Sequence, residues 1–389
     1  MLKMSFLLKN LELITPNEKN ICRNVLVSNG QIIKITDQSH NLDVAESFNF
    51  HNLRLFSGFI DIHIHGAVGV DTNVADVNDF YKMAKFLAEN GVTAWLPTFV
   101  PDSDENYRKG IAAIEELIKI QENEPIAQIV GVHYEGIFAN EKMCGALRPE
   151  YFKTLKNGDE ISQIPKLQKG VHLTTLAPEI ENGIEAIEKL VEDNWIVSIG
   201  HTKAETDVLD QAFAAGAKHL THFYNAMTGL HHRNVGVVGW ALTNSGVTFD
   251  IIADGVHVHP EMVKFAAETK TPDKVTLISD SVLPTGLGDG EFEIWGENIS
   301  VVNGKTENER GSIAGSVITM LDAVKMMLKL GFSPSEVSKM TSLNPAKVIG
   351  LDKNYGSIEV GKRADLIALD ADGNVKFVMI GGKIAVNNL

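Results

Sequence analysis

The middle of the chain alternates between short apolar runs and longer amphipathic stretches. Such runs predict buried strands, because a strand that is covered on both faces is apolar at nearly every position. The stretches between them, such as DFYKMAKFLAEN, repeat apolar residues at helical spacing. Eight strands, each followed by a helix or a long loop, predict a (β/α)8 barrel. The predicted strands are residues 57–66, 93–100, 128–136, 170–179, 195–202, 218–225, 248–255 and 274–281.

The two ends of the chain have a different pattern, with short alternating runs separated by turn residues. SNG separates two such runs near the start, and DG and GG do so near the end. We expect residues 1–55 and 351–389 to form one small β-sandwich domain beside a catalytic barrel over 56–350. Two unrelated caps are the alternative for the ends. For the middle, a doubly wound open sheet is the alternative, although no GxGxxG turn follows the first strand.

Composition narrows the classes of function. The 389 residues include 35 Lys and Arg against 50 Asp and Glu, a formal net charge of −15. Such an acidic chain argues against binding to nucleic acid or to an anionic membrane. The two cysteines, Cys22 and Cys144, exclude a disulfide framework and favour the reducing cytoplasm. No apolar run is long enough to span a membrane.

Polar residues follow the predicted strands at the end that forms the mouth of a parallel barrel. His63 and His65 face the same side, because residues two apart in a strand do so. One such histidine is usually structural, but burying six imidazoles and carboxylates together without a cation would cost several kcal/mol each. Nitrogen and oxygen donors of this kind suit one or two divalent metals, such as Zn, Fe or Mn. The six residues are His63, His65, Glu135, His201, His222 and Asp280.

A metal at this mouth would favour hydrolysis. A divalent metal polarises a carbonyl group and lowers the pKa of water. Asp280, on the last strand, is the candidate acid and base that moves the proton. These features predict hydrolysis of an amide, ester or imine. The sequence contains no Rossmann fingerprint and no CxxC pair, which argues against redox chemistry. It also contains no G-x-S-x-G elbow, which argues against a serine hydrolase.

A second polar cluster follows the sixth predicted strand, in the segment HFYNAMTGLHHRNVGVVGWAL. It contains Asn225 and Arg233, and His257 follows the next strand. Arginine, histidine and exposed loop amides suit an anionic group such as phosphate. An ordinary solvated loop explains the same residues equally well. The segment NERGSIAGSVITM, residues 308–320, is a further turn whose backbone amides suit a sugar or a phosphate.

Several blocks of the sequence resemble a known family. GFIDIHIHG and SLNPAKVIGLDKNYGSIEVGKRADLIALD resemble the amidohydrolase superfamily. The blocks NAMTGLHHR, ADGVHVHP and ISDSVLPTGLGDGEFEIWG are similar to those of its N-acetylglucosamine-6-phosphate deacetylases. The resemblance implies a metal-dependent barrel with a small β-sandwich. It also implies removal of acetate from N-acetylglucosamine 6-phosphate, giving glucosamine 6-phosphate in amino-sugar catabolism.

The resemblance also assigns roles to residues. Glu135, His201 and His222 match the metal ligands found throughout the family, and His63 and His65 match the extra ligands of two-metal members. Asp280 matches a ligand that is also the catalytic acid and base. Arg233 and His257 match phosphate contacts that can be shared across a homodimer interface, which favours the phosphate interpretation. The residues that match substrate-binding positions are Ala146, Asn225, Ala226, Arg233, His257, Ile313, Ala314 and Gly315.

Two positions depart from the family pattern. Ile137 stands where the family has proline, and Leu147 stands where it has a histidine that touches substrate. Leucine cannot donate a hydrogen bond, which leaves neighbouring Arg148 as a candidate donor. A related N-acyl amino-sugar phosphate, such as N-acetylgalactosamine 6-phosphate, is therefore an alternative substrate. Two further hypotheses are a cyclic-amide or N-acyl-amino-acid amidohydrolase, indifferent to phosphate, and a non-catalytic sugar-phosphate sensor.

Overall fold

The computed structural model describes residues 5–16, 21–37, 44, 46–156 and 159–389. Its strands form four sheets, which are an eight-stranded terminal sheet, the barrel, a three-stranded sheet and a small hairpin. The strands in chain order are β1 Ser5–Leu13, β2 Ile21–Ser28, β3 Gln31–Thr36, β4 Glu46–Asn49, β5 Arg54–Ser57, β6 Phe59–Ile64, β7 Gly66–Ala67, β8 Val70–Asp71, β9 Val92–Phe99, β10 Gln128–Ile129, β11 Gly131–Phe138, β12 Val171–Leu176, β13 Ile196–Ile199, β14 His219–Leu220, β15 Thr248–Ile252, β16 Val275–Ile278, β17 Gly290–Ile294, β18 Glu297–Val302, β19 Lys305–Asn308, β20 Leu366–Leu369, β21 Val375–Ile380 and β22 Lys383–Asn387.

Helices separate most of the barrel strands. In the first of them, Asp76 caps the helix and the buried residues Phe80, Met83, Ala84 and Leu87 recur at helical spacing. The α-helices are α1 Val77–Glu89, α2 Asp104–Gln121, α3 Asp159–Ser162, α4 Gly183–Glu192, α5 Thr206–Ala215, α6 Gly236–Thr243, α7 Pro260–Lys270, α8 Met320–Lys329, α9 Pro334–Ser338 and α10 Asn344–Val348. Within the described ranges, no helix has the length and apolar character that crossing a membrane requires.

The barrel consists of eight parallel strands and is nearly closed. Strands β6, β9, β11, β12, β13, β14, β15 and β16 pair in that order. The first and last strands meet at the mouth, where the amide of Asp280 donates to the His63 carbonyl at 2.9 Å and that of His65 donates to the Ser281 carbonyl at 2.8 Å. All eight predicted ranges overlap a barrel strand. The predicted (β/α)8 barrel is therefore confirmed, and the doubly wound alternative is wrong.

Both ends of the chain contribute to the terminal sheet, whose order is β22-β21-β20-β5-β1-β2-β3, with β4 beside β1. The β5–β20 pair joins the two ends. The SNG turn lies between β2 and β3, where Asn29 and Gly30 have φ values of 51° and 78° that suit a tight hairpin. One shared sheet rules out two unrelated caps. Strand β5 runs across the predicted boundary between residues 55 and 56, and the division into two domains stays a prediction.

The terminal sheet has a hydrophobic core of its own, centred on aromatic side chains. The ring of Phe377 is fully buried and lies 5.4 Å from the ring of Phe48 and 5.1 Å from that of Phe50. Pairs at these distances stabilise a core through burial and through edge contacts. We expect Phe377 to contribute strongly to the stability of this sheet.

We predict that Phe377→Ala lowers the free energy of unfolding by about 3–5 kcal/mol, because it leaves a cavity in this core. Urea denaturation followed by circular dichroism measures the change. Val360→Ala is the control, because Val360 is 62% exposed. An effect of Phe377→Ala no larger than that of the control would contradict the prediction.

Candidate metal centre and active-site cavity

The polar residues that follow the barrel strands converge at the mouth of the barrel. Six buried side chains form two groups, and within each group the potential ligand atoms all lie within 4.8 Å of one another. These are the six residues that the sequence pattern singled out. The first group is His63, His65 and Asp280, and the second is Glu135, His201 and His222.

The carboxylate of Glu135, a member of the second group, also contacts the first group. Its Oε1 atom is 2.8 Å from His222 Nε2 and 3.1 Å from His201 Nε2. Its Oε2 atom is 3.2 Å from His65 Nε2, which belongs to the other group. Asp280 Oδ1 is also 3.2 Å from that nitrogen. Glu135 therefore joins the two groups into one cluster of nitrogen and oxygen donors.

Three members of this cluster have a strained backbone. The φ values of His201, His222 and Asp280 are 47°, 33° and 49°, in the left-handed region that favours glycine. Such a conformation costs roughly 1–2 kcal/mol per residue for other amino acids. Strain of this kind concentrates at functional sites, where the surrounding structure compensates for it. Each residue follows a barrel strand, so the strain lies where the chain turns away from the barrel wall.

Backbone carbonyls orient two of the imidazole rings. His201 Nδ1 lies 2.8 Å from the Met143 carbonyl, and His65 Nδ1 lies 3.2 Å from the Thr98 carbonyl. A ring that donates a hydrogen bond through Nδ1 keeps the lone pair of its Nε2 atom available to bind a cation in the cluster. The backbone amide of His222 donates to the carboxylate of Asp250. Asp250 carries no signal in the sequence beyond its place in a barrel strand.

The electrostatics of the cluster favour a cation. Burial lowers the pKa of His65, but hydrogen bonds to Asp280 and Glu135 outweigh it and raise that pKa to about 10. Burial raises the pKa of Glu135, but the adjacent imidazoles of His63, His201 and His222 hold it well below its usual value. The cluster thus attracts positive charge, as protons or as a metal ion. Its buried nitrogen and oxygen donors fit a divalent metal.

One cavity of about 310 Å³ opens onto the cluster. Most of the residues that the sequence or the family resemblance singled out line this cavity. Those that line it are His65, Glu135, Ala146, His201, His222, Asn225, Ala226, His257, Asp280, Ile313 and Gly315. The turn at Ile313–Gly315 lies beside Asp280, because the Ser316 amide donates to the Asp280 carbonyl at 2.7 Å. Metal-ligand candidates and substrate-contact candidates therefore share one cavity.

Three predicted residues do not line this cavity. His63 is fully buried, and Ala314 is 1% exposed. Arg233 lies on an exposed loop, where its Nη1 atom is 2.7 Å from His232 Nε2. Its predicted phosphate contact therefore does not arise within the described part of a single chain, and stays a prediction.

His257 is held in place by an aspartate that sequence reasoning missed. The Nδ1 atom of His257 is 2.7 Å from Asp254 Oδ2, and its backbone amide donates to Asp254 Oδ1 at 2.8 Å. This contact orients the ring and leaves Nε2 for another partner. The three-residue spacing in ADGVH is the signal that could have indicated this pair.

The cavity also contains a tryptophan that sequence reasoning missed. Trp295 lines the cavity, and its ring lies 5.5 Å from the ring of His65 in an edge-to-face arrangement. It occupies the turn between β17 and β18, with a φ of 55°. The three-stranded sheet β17–β19 follows the last barrel strand and carries this turn to the mouth. The WG pair between alternating residues was the available signal for the hairpin.

The departure at Leu147 changes one wall of the cavity. Leu147 lines the cavity and is 3% exposed. Arg148 does not replace the missing hydrogen-bond donor. Its Nη2 atom donates to the Pro101 carbonyl and to Asp102 Oδ2, both at 2.9 Å, away from the cavity lining. This wall is therefore apolar at the position where the family pattern has a histidine.

A model of the Amidohydrolase family matches residues 54–385. The chain belongs to the amidohydrolase family. It is 33% identical over 388 residues to the N-acetylglucosamine-6-phosphate deacetylase of Bacillus subtilis, covering 98% of this chain and 97% of the relative. It is 36% identical over 334 residues to the N-acetylgalactosamine-6-phosphate deacetylase of Escherichia coli O157:H7, covering 85% and 87% of the two chains.

Solved structures agree with this family assignment. The N-acetylglucosamine-6-phosphate deacetylase of Pasteurella multocida superposes with a TM-score of 0.90 at 29% identity, over 98% of this chain and 100% of that chain. The enzyme of the same name from Thermotoga maritima gives a TM-score of 0.87 at 32% identity, over 98% and 99% of the two chains. This amidohydrolase therefore shares its whole architecture, and not the barrel alone, with these proteins.

We predict that Glu135→Gln weakens the binding of divalent metal at least tenfold (about 1.4 kcal/mol), because it removes the negative charge that both groups share. Metal analysis after dialysis, with circular dichroism to check folding, measures the effect. Glu150→Gln is the matched control on an exposed residue. Equal metal content in the two variants would contradict the proposed ligand role of Glu135.

Proposed function

We propose that this amidohydrolase removes the acetyl group from N-acetylglucosamine 6-phosphate, giving acetate and glucosamine 6-phosphate. One observation carries the proposal: five of the six metal-ligand candidates and His257 line the same cavity. The cluster suits attack on an amide, and His257 suits recognition of a phosphate. The names of the relatives support the same pairing of chemistry and substrate.

We assign the metal sites to the six donors of the cluster. His63, His65 and Asp280 would hold one ion, and Glu135, His201 and His222 would hold another or the only one. Donors of this type suit Zn, Fe or Mn. When bound, a divalent metal supplies Lewis-acid polarisation of the amide carbonyl and lowers the pKa of water.

Asp280 moves the proton in the proposed mechanism. Its carboxylate lines the cavity and lies 3.2 Å from His65 Nε2, so it is buried among the ligands and faces the substrate. It accepts the proton of the attacking water and then donates it to the amide nitrogen as the carbon–nitrogen bond breaks. Acetate and the free amine of the sugar are the products.

The sugar phosphate is held in the part of the cavity beyond the cluster. His257, oriented by Asp254, contacts the phosphate. The segment at Asn225 and Ala226, and the turn at Ile313 and Gly315, supply further lining for the sugar. Arg233 contacts the phosphate from the second chain of a homodimer, a proposal that its exposed position supports. The cytoplasmic location stays a prediction from the cysteine count.

The leucine at position 147 favours a second candidate substrate, N-acetylgalactosamine 6-phosphate. Leu147 makes the cavity wall apolar where the family pattern has a histidine. A leucine forms no hydrogen bond with a sugar hydroxyl or an amide, so it alters the contacts that select the sugar. Acetate release from both amino-sugar phosphates, with their unphosphorylated forms as controls, determines the preferred sugar. Cleavage of none of them would contradict the proposed function.

We predict that Asp280→Asn lowers kcat by about 10²–10⁴, because the amide cannot accept the proton of water. KM should change little, since the phosphate and sugar contacts remain. Steady-state acetate release and metal analysis of the same preparation measure both effects. Asp372→Asn, on an exposed turn, is the control. Turnover close to that of the unmodified enzyme would overturn the assignment of Asp280.

We predict that His257→Ala lowers kcat/KM for N-acetylglucosamine 6-phosphate about tenfold to a hundredfold, as expected for the loss of a hydrogen bond to a charged group. For unphosphorylated N-acetylglucosamine it should change little. His259→Ala is the matched control, because His259 is exposed and caps helix α7. Equal losses on the two substrates would contradict a phosphate contact at His257.

A further inference from the structure

A second cavity, of about 510 Å³, lies at the amino-terminal end of the barrel. It is lined by Ile196, His219 and Thr248 at the start of β13, β14 and β15, and by Lys347 on α10. It shares no lining residue with the active-site cavity. Enzymes of this fold carry their active sites at the opposite, carboxyl end of the strands. The proposed deacetylation therefore does not explain this cavity.

The lining of this cavity is strongly cationic. Lys218, Lys274 and Lys347 line it, and none of them forms an ion pair with a carboxylate in the described part of the chain. Asp273 is the acidic residue of the lining, and its carboxylate is already 2.8 Å from Lys339 Nζ. A cavity whose lining carries an excess of charges of one sign concentrates the electric field and attracts the opposite charge. In a chain of net charge −15, such a cavity is a local exception.

A neighbouring lysine, Lys270, adds to the positive charge beside this cavity. Its ammonium group is buried and donates to the carbonyls of Ala241 and Asn244. Burial, followed by the nearby charge of Lys274, lowers the pKa of Lys270 to about 8. The charges of Lys270 and Lys274 thus repel one another beside this cavity, and a bound anion would reduce that repulsion.

One wall of the cavity suits the organic part of a ligand. Trp195 lines it together with Val191, Ile196 and Val348. The Nε1 atom of Trp195 and the Oδ1 atom of Asn344, which also lines the cavity, are buried and have no hydrogen-bond partner among the described residues. Aromatic and apolar side chains with a few polar groups are typical of small-molecule sites, whose volumes are about 300–1,000 Å³.

The polar residues His219 and Thr248 of the lining already form contacts within the barrel. The ring nitrogens of His219 lie 2.7 Å from Thr248 Oγ1 and 3.2 Å from Asp250 Oδ2. Asp250 in turn accepts the backbone amide of His222 at the metal cluster. These contacts leave the three lysines as the charged groups available to a ligand. Trp195, which is 3% exposed and packs against His172, forms part of the apolar wall.

We propose that this cavity binds a small phosphorylated metabolite, with its phosphate held by Lys218, Lys274 and Lys347 and its organic part against Trp195. Ammonium groups bind phosphate as point charges and need no fixed fork geometry. Both the charge and the organic part contribute, so inorganic phosphate binds more weakly than a sugar phosphate of similar charge. The site is separate from the deacetylation centre, and its occupation does not depend on the proposed reaction.

Calorimetric titration with glucose 6-phosphate, which has no acetyl group to lose, tests the proposal. We expect one binding equivalent at this cavity that Lys218→Gln/Lys274→Gln weakens at least tenfold (about 1.4 kcal/mol). Lys119→Gln/Lys329→Gln is the matched control, with the same charge change on exposed residues elsewhere. Glucose should not bind, and inorganic phosphate should bind at least tenfold more weakly than glucose 6-phosphate. Equal melting temperatures of the two double variants check their folding.

Tryptophan fluorescence locates the bound ligand. Glucose 6-phosphate should change the emission of the unmodified protein through Trp195, and most of that change should disappear in Trp195→Phe. A Trp295→Phe variant, altered at the active-site cavity, should retain it. Indistinguishable binding by the two lysine variants would overturn the proposal. Binding of glucose or inorganic phosphate as tight as that of glucose 6-phosphate would overturn it as well, as would a signal that is lost only in Trp295→Phe.

Discussion

The mouth of the barrel depends on one constraint, which is the burial of six nitrogen and oxygen donors within a few ångströms of one another. Such a cluster is costly unless positive charge is shared among its members. Glu135 lies between the two groups and Asp280 lies beside His65, so the negative charges are placed among the imidazoles. The need to hold a cation thus explains why so many polar groups are tolerated in the barrel interior.

The surrounding structure supports this arrangement at several levels. Parallel strands bring their carboxyl ends to one mouth, and left-handed turns at His201, His222 and Asp280 follow directly. Backbone carbonyls and Asp250 fix the rings and the chain around them. The three-stranded sheet β17–β19 then places Trp295 against His65. The strain at these three turns is located where the chemistry is proposed to occur.

The sequence predicted the barrel and the six donors, because apolar runs mark parallel strands and their ends meet at one place. It also placed His257 in the cavity, through the family resemblance. It missed Trp295, since a tryptophan in a hairpin has no signal that relates it to a distant histidine. The cationic cavity was missed for a similar reason. Lys218 and Lys274 precede β14 and β16, which the barrel places on either side of β15, and Lys347 comes from the distant helix α10. The phosphate contact proposed for Arg233 requires a second chain, which one sequence does not position.

The central claim is that the buried cluster holds a divalent metal and uses it to hydrolyse the amide of an amino-sugar phosphate. The most direct test measures acetate release from N-acetylglucosamine 6-phosphate before and after removal of metal. If it does, acetate and free amine appear in equal amounts. A chelator then abolishes both products, and a divalent cation restores them. Turnover that survives complete removal of metal, or no turnover in the metal-loaded protein, would contradict this role of the cluster.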